Sequence, residues 1–272
     1  MAVLLREVIE TLEGFWPTAG ADDWDAPGLV TGSLDARISR ILLTVDVTDE
    51  LIDEAINGGF DLIVAHHPLL LRGVKSVAEE SSKGLILAKA IRSNVAIYSA
   101  HTNADIVTRG VSAALAASVG LERVMPLVET GPQIGHGRVG NLPTGVSLGE
   151  FAKSLARVLP STATGVRVAG DFESQVQRVA LCGGAGDSFI EAAYESGADV
   201  YVTSDLRHHP TQEILERARA EKRQFALVDV SHWAAEWMWL EWAAEDIHGR
   251  FASIQVVVSE LRTDPWDFAV TQ

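Results

Sequence analysis

A single cysteine, Cys182, stands in 272 residues, so no disulfide can form within the chain. That composition fits a reducing, cytoplasmic compartment. Bases are also scarce: 22 Lys and Arg against 37 Asp and Glu give a formal net charge of −15. An acidic surface repels phosphate backbones and anionic lipid, which disfavours nucleic acid and membranes as partners. It leaves room for a small anionic ligand in a local pocket. Apolar runs of the ~18–20 residues needed to span a bilayer are missing. The opening Met1-Ala2-Val3-Leu4-Leu5-Arg6-Glu7 has no basic stretch leading into an apolar one, so no secretory leader is read. With 47% hydrophobic and 22% charged residues, the composition excludes a coiled coil, a collagen and a disordered chain. The length suits two modest domains or one large one.

What is present is an alternation of short β-branched runs with helical patterns. Strands are expected at Ile41–Val47, Asp61–Ala65 and Val95–Ala100, with helices at Thr48–Asn57, Lys83–Ser93 and Gly110–Ala117. Thr48 is suited to cap its helix, with acidic residues in the turns after it. This βαβα order predicts a largely parallel sheet covered by helices. Leu121–Pro143 carries seven Gly and Pro residues and reads as a linker into a second domain. Beyond it the alternation resumes. Helices are expected at Leu148–Val158, Asp187–Ser196, Pro210–Ala220 and Ser231–Ile247, and strands at Gly165–Val168, Gln177–Cys182, Asp199–Thr203, Phe225–Val230 and Ile254–Ser259.

One segment echoes another. Gly59-Phe60-Asp61-Leu62-Ile63-Val64 runs on to His66-His67-Pro68, and Gly197-Ala198-Asp199-Val200-Tyr201-Val202 runs on to His208-His209-Pro210. This reads as two related α/β halves.

Ligands of parallel sheets gather beyond the carboxyl ends of the strands. His66 and His67, His101 with Asp105, and His232 with Glu236 all fall just past expected strand ends. Adjacent strand residues point to opposite faces, so His66 and His67 can share a site only where the strand is ending. His232 and Glu236 are four apart and stack on one helix face. A lone histidine at a strand end is more often a cap or a packing residue, but three such groups at three strand ends form a pattern. Mixed imidazole and carboxylate donors suit Zn, Fe, Mn or Ni, and six candidates exceed what one open catalytic ion takes, which points to a two-metal site.

Taken in order, Trp24–Leu29, Asp61–Leu69, Ser99–Asp105, Gly137–Gly140, Cys182–Gly186, Thr203–His209 and His232–Glu236 resemble the Nif-three-like dinuclear metal centre family, whose members are commonly named GTP cyclohydrolase 1 type 2 homologues. The resemblance covers nearly the whole chain. It implies an α/β protein of two α/β domains, the first discontinuous and built from both chain ends, and a ring-shaped homohexamer. The expected boundaries are 1–125 plus 229–272 for the metal-binding domain and 126–228 for the second, because His232 and Glu236 have to reach His66. The resemblance implies a pair of divalent ions on His66, His67, Asp105, His232 and Glu236, with His101 beside them. Some longer relatives carry an inserted domain, for which this chain has no room. It departs from the family at Ala26, Pro27, Ser204, Ser231 and Trp233, none of them an implied ligand.

Gly183-Gly184-Ala185-Gly186 reads as a tight strand-to-helix turn in preference to a phosphate cradle. Asp205, His208 and His209 either line a cavity mouth or mark the helix entry before Pro210. His136 and His248 are read as surface or packing residues, and Cys182 as a small buried hydrophobe. Trp233, Trp237, Trp239 and Trp242 on one helix read as core, with part of the cluster available to a subunit interface. Two functions remain open. One is a metal-dependent hydrolase acting on a small molecule, a nucleotide-like heterocycle, with His101 or His209 carrying protons. The other is a non-catalytic metal-binding ring that serves as scaffold, store or interaction partner.

Overall fold

A computed structural model describes residues 2–271. The chain forms β1 (Val3–Leu4), α1 (Leu5–Phe15), β2 (Gly28–Thr31), β3 (Arg37–Ile38), β4 (Arg40–Thr44), α2 (Asp49–Gly58), β5 (Leu62–Ala65), α3 (Ser82–Arg92) and β6 (Ala96–Ser99). It continues through α4 (Thr102–Asp105), α5 (Val111–Ser118), β7 (Glu122–Gly131), β8 (Ile134–Ser147), α6 (Leu148–Val158), β9 (Arg167–Ala169), β10 (Gln175–Ala185), α7 (Ile190–Glu195) and β11 (Val200–Ser204). Then come α8 (His208–Ala220), β12 (Ala226–Asp229), α9 (His232–Arg250) and β13 (Gln255–Val258). The residues divide into two compact units. One runs up to Ala104 and takes in Leu240–Thr263; the other is Asp105–Trp239 with the residues from Asp264 onward. The divisions thus fall inside α4, inside α9 and after Thr263.

In the first unit a five-stranded sheet has the order β13-β4-β5-β6-β2, parallel except for β2. β5 and β6 are buried along their whole length, as a parallel sheet covered on both faces requires. Thr48 caps α2 as its sequence predicts, its side chain accepting from the Leu51 amide, a contribution of about 1 kcal/mol. Leu51, Ile52 and Ala55 of that helix pack with Leu42, Ile63, Ile97 and Leu87 in the core.

In the second unit the order is β7-β8-β10-β11-β12-β9, with β10, β11 and β12 parallel and the flanking strands antiparallel. The supposed linker Leu121–Pro143 is therefore mostly a hairpin, β7 paired with β8. Its glycines answer a different need. At Gly135 a Cβ would overlap the Val128 carbonyl of the partner strand, so the residue marks close backbone approach and not flexibility.

The internal echo is a likeness of strand architecture. Asp61 Oδ2 accepts from the Ser39 and Arg40 amides, its own amide donates to Arg40 O, and its carbonyl accepts from Ala96 N. Asp199 does the same with Gln177, Arg178 and Ala226. Each aspartate thus ties the starts of three neighbouring strands. The likeness does not extend to the histidine pairs. Counted from the aspartates, Ser204 and Asp205 stand where His66 and His67 stand, while His208 and His209 open α8.

Candidate metal centre

His66 and His67 leave the carboxyl end of β5 still bonded as strand: the His66 amide donates to Thr44 O at 3.0 Å and the His67 amide to Val45 O at 2.9 Å. Asp46 follows β4, and His101 follows β6 by way of Ala100, whose amide donates to Ala65 O at 2.9 Å. Two neighbouring strand ends, those of β5 and β6, thereby deliver His66, His67 and His101 to one place, and β4 beside them delivers Asp46. Their ring centroids lie 5.1 to 5.4 Å apart. One nitrogen from each falls within 4.8 Å of one from each of the others. His66 is fully buried, and the other two are partly exposed.

Each ring is held from its far side. His66 Nδ1 donates to Ala100 O at 2.8 Å, His67 Nδ1 to Asp46 Oδ1 at 2.8 Å, and His101 Nδ1 to Asp25 Oδ1 at 2.7 Å. A carbonyl or carboxylate at Nδ1 fixes the tautomer with the proton there and puts the lone pair on Nε2. Burial works to raise the Asp25 pKa. It is outweighed by the hydrogen bonds from His101 and from Thr102, the charge of His101 and the Ala26 amide, which hold the carboxyl well below the usual carboxylate range.

The second unit builds a smaller group at the start of α9. His232 Nε2 lies 2.9 Å from Glu236 Oε1, one helical turn on, and His232 Nδ1 lies 2.7 Å from Asp205 Oδ2. Asp205 sits just past β11 with φ 57°, a left-handed conformation that aspartate tolerates. Burial opposes charge on His232, but the Glu236 carboxylate and the hydrogen bonds to Asp205 and Glu236 prevail, raising its pKa to about 11. Glu236 is only 3% exposed. Gly183 and Gly184, expected to form a turn, continue β10, and Gly184 (φ 73°) is where a Cβ would overlap Glu236 Oε1.

Asp105 ends α4, where its charge acts on Arg138 and Cys182. Arg138, 3% exposed, donates to the carbonyls of Gly135, Gly137, Ile106 and Val107 and so holds the turn that follows Asp105. Burial pushes the Cys182 thiol up to about 12, with the Asp105 charge adding to it. His209 is exposed in the first turn of α8, its ring 5.3 Å from that of His208. His136 stacks on Phe189 and His248 is exposed near the end of α9, both as expected. Trp233 and Trp239 are core, whereas Trp237 and Trp242 are half-buried.

Sequence reasoning reaches the histidines but not the roles of Asp25 and Asp46, which orient two of them, and it leaves Asp205 between a cavity mouth and a helix entry without pairing it to His232. The donors suit a divalent transition metal: imidazole nitrogens with their tautomers fixed, and a buried carboxylate for which a glycine makes room.

Comparison with known proteins bears on this centre. The family model for Duf34/NIF3 (NGG1p interacting factor 3) matches residues 3–265. A Streptomyces coelicolor protein named GTP cyclohydrolase 1 type 2 homolog is 44% identical, covering 96% of this chain and 93% of the relative. A Mycobacterium tuberculosis protein of the same name is 32% identical over 376 aligned positions, covering 98% of this chain and 97% of the relative. The crystal structure of a Bacillus cereus protein related to NIF3 superposes with a TM-score of 0.90 at 24% identity, over 98% of this chain and 99% of that one, a likeness of fold. Matched along nearly its whole length by the family model and by these relatives, the chain belongs to the Duf34/NIF3 family.

Proposed function

We propose that His66, His67, Asp105, His232 and Glu236 hold two divalent transition-metal ions, and that the protein is a metal-dependent hydrolase acting on a nucleotide-like heterocycle. The observation that carries the reading is shared by four histidines: His66, His67, His101 and His232 each engage an oxygen through Nδ1, the arrangement that metal-binding histidines use. The substrate class rests on the relatives' name, GTP cyclohydrolase 1 type 2 homolog.

Two such ions would supply a water of lowered pKa and polarise the group under attack. The chain's own residues do the rest. His101 takes or returns a proton at Nε2, while Asp25 holds the ring and stabilises the imidazolium. In a purine substrate the bond opened would be at C8. His209, exposed on α8, is the second proton carrier in this reading. Glu236 is the buried carboxylate that offsets the charge of the ions. The acidic surface is consistent with a small-molecule substrate and not nucleic acid. No helix among the described residues is long and apolar enough to cross a membrane. We place the protein in the cytoplasm as a homohexamer.

Elemental analysis of the purified protein, run beside a hydrolase screen on nucleotides and related heterocycles, tests the reading. About two equivalents of metal and a hydrolysis abolished by chelation and restored by metal are expected. Two equivalents with no activity would favour a non-catalytic ring, and a protein that takes up no metal would overturn both.

A further inference from the structure

Among the described residues, the chain beyond β13 forms no helix or strand, and residues 265–271 are exposed, including Trp266, Phe268 and Val270. Two residues depart from that pattern. The Thr263 hydroxyl donates to Asp46 Oδ2 at 2.6 Å, and the other oxygen of Asp46 accepts from His67 Nδ1 at 2.8 Å. Asp264, next in sequence, is 8% exposed, and its Oδ1 accepts from the Ser231 hydroxyl at 2.6 Å. Ser231 Oγ in turn accepts from the Ala234 amide at 3.2 Å, so it caps α9 immediately before His232. The segment is anchored upstream at Ser259, whose amide donates to Leu43 O and whose hydroxyl donates to Glu54.

Burying a carboxylate is costly unless its oxygens are paired, so a tail that draws in Asp264 and leaves its successors in water does so through particular bonds. Asp46 is about one-third exposed, with His67 Nδ1 on one carboxylate oxygen and the Thr263 hydroxyl on the other. The Thr263 hydroxyl fixes its second oxygen and with it the plane of the carboxylate. The Asp264 carboxylate takes the only proton of Ser231 Oγ, which directs the oxygen's lone pairs to the helix amide. One dipeptide therefore supports the carrier of His67 and, separately, the carrier of His232.

We propose that Thr263 and Asp264 are positioning residues for the metal centre: the C-terminal strap sets the orientation of His67 through Asp46 and of His232 through the Ser231 cap. The inference rests on the metal-centre reading above, and it assigns a role to two residues that are not ligands.

The test is titration of metal-stripped full-length protein with Co2+, followed by its visible absorption and by competition with a chromophoric chelator. The wild type is compared with Thr263→Val, Thr263→Ser, Asp264→Asn and a chain ending at Asp267. Thr263→Val keeps the shape and removes the donor. Loss of such an outer partner lowers metal affinity by about 10- to 100-fold. That loss and a changed Co2+ spectrum are expected, with the melting temperature of the metal-free protein unchanged. Thr263→Ser should restore both, Asp264→Asn should weaken binding, and the chain ending at Asp267 should behave as wild type. If Thr263→Val binds Co2+ as the wild type does, or only lowers the melting temperature, the positioning role falls and the metal-centre reading stands. A wild type that binds no Co2+ overturns that reading and the positioning role with it.

Discussion

Gly184 lies against Glu236: a Cβ built on it would overlap Glu236 Oε1 and come within 3.4 Å of His232 Nε2. The glycine is thus the wall of the His232–Glu236 group, and its φ of 73° is one that other residues adopt only with strain. Gly184→Ala is expected to displace Glu236, to lower metal occupancy and to destabilise the fold by about 1–2 kcal/mol of backbone strain. Gly145→Ala, whose Cβ would meet nothing nearer than 3.7 Å, is the control and should keep its metal. Elemental analysis and thermal melts of both variants check the pair.

Asp25 yields a prediction in pH. Its carboxylate accepts from His101 Nδ1, the Thr102 amide and hydroxyl, and the Ala26 amide, and its pKa is held low by them. A carboxyl whose pKa is lower folded than unfolded stabilises the protein above the unfolded value of about 4. That contribution drains away as the pH falls toward the folded value. Asp25→Asn should therefore destabilise at pH 7 by about 2 kcal/mol, the worth of a hydrogen bond to a charged group. It should cost progressively less as the pH drops below about 4. Urea midpoints of both proteins between neutral and acid pH measure this; a difference independent of pH would refute it.

The elements that were legible in the sequence are those whose signal is local. Thr48 announces α2 by its own capping chemistry, and the buried runs of β5 and β6 announce themselves by apolar continuity. His66, His67 and His101 were legible as a group because each follows such a strand. Asp25 and Asp46 were not, since their partners are 76 and 21 residues away and only the fold introduces them. The β7–β8 hairpin was hidden by its glycines: the same residue type marks a flexible linker and a strand pressed against a neighbour's backbone, and composition does not separate the two. The stripe of Leu5, Val8 and Leu12 on α1 has helical spacing and was readable, but it lies before the alternation that begins at Ile41.

Cys182 should be chemically quiet in the folded protein. It is buried, and its thiol is pushed up to about 12, first by burial and then by the charge of Asp105. Thiolate is the reactive form, so alkylation by iodoacetamide at pH 8 is expected to be slow in the native state and fast in denaturant. Equal rates in the two states would show that the thiol is reached without unfolding.

The sharpest test of the helix lies in two glutamates of α9. Glu236 is one turn beyond His232, 3% exposed, with Oε1 2.9 Å from the imidazole; Glu241 is exposed on the same helix. A carboxamide keeps the volume of a carboxylate but loses its charge and one acceptor oxygen. Glu236→Gln therefore removes the group that offsets the charge of bound cations while filling the same space beside Gly184. The protein is expected to fold, to hold less metal by elemental analysis, and to lose any metal-dependent hydrolysis that the wild type shows. Glu241→Gln, in water, should change stability by no more than about 0.5 kcal/mol and leave metal content as it was. Equal metal in the two variants would mean that α9 does not present Glu236 to the centre, and the hydrolase reading would lose the carboxylate on which it depends.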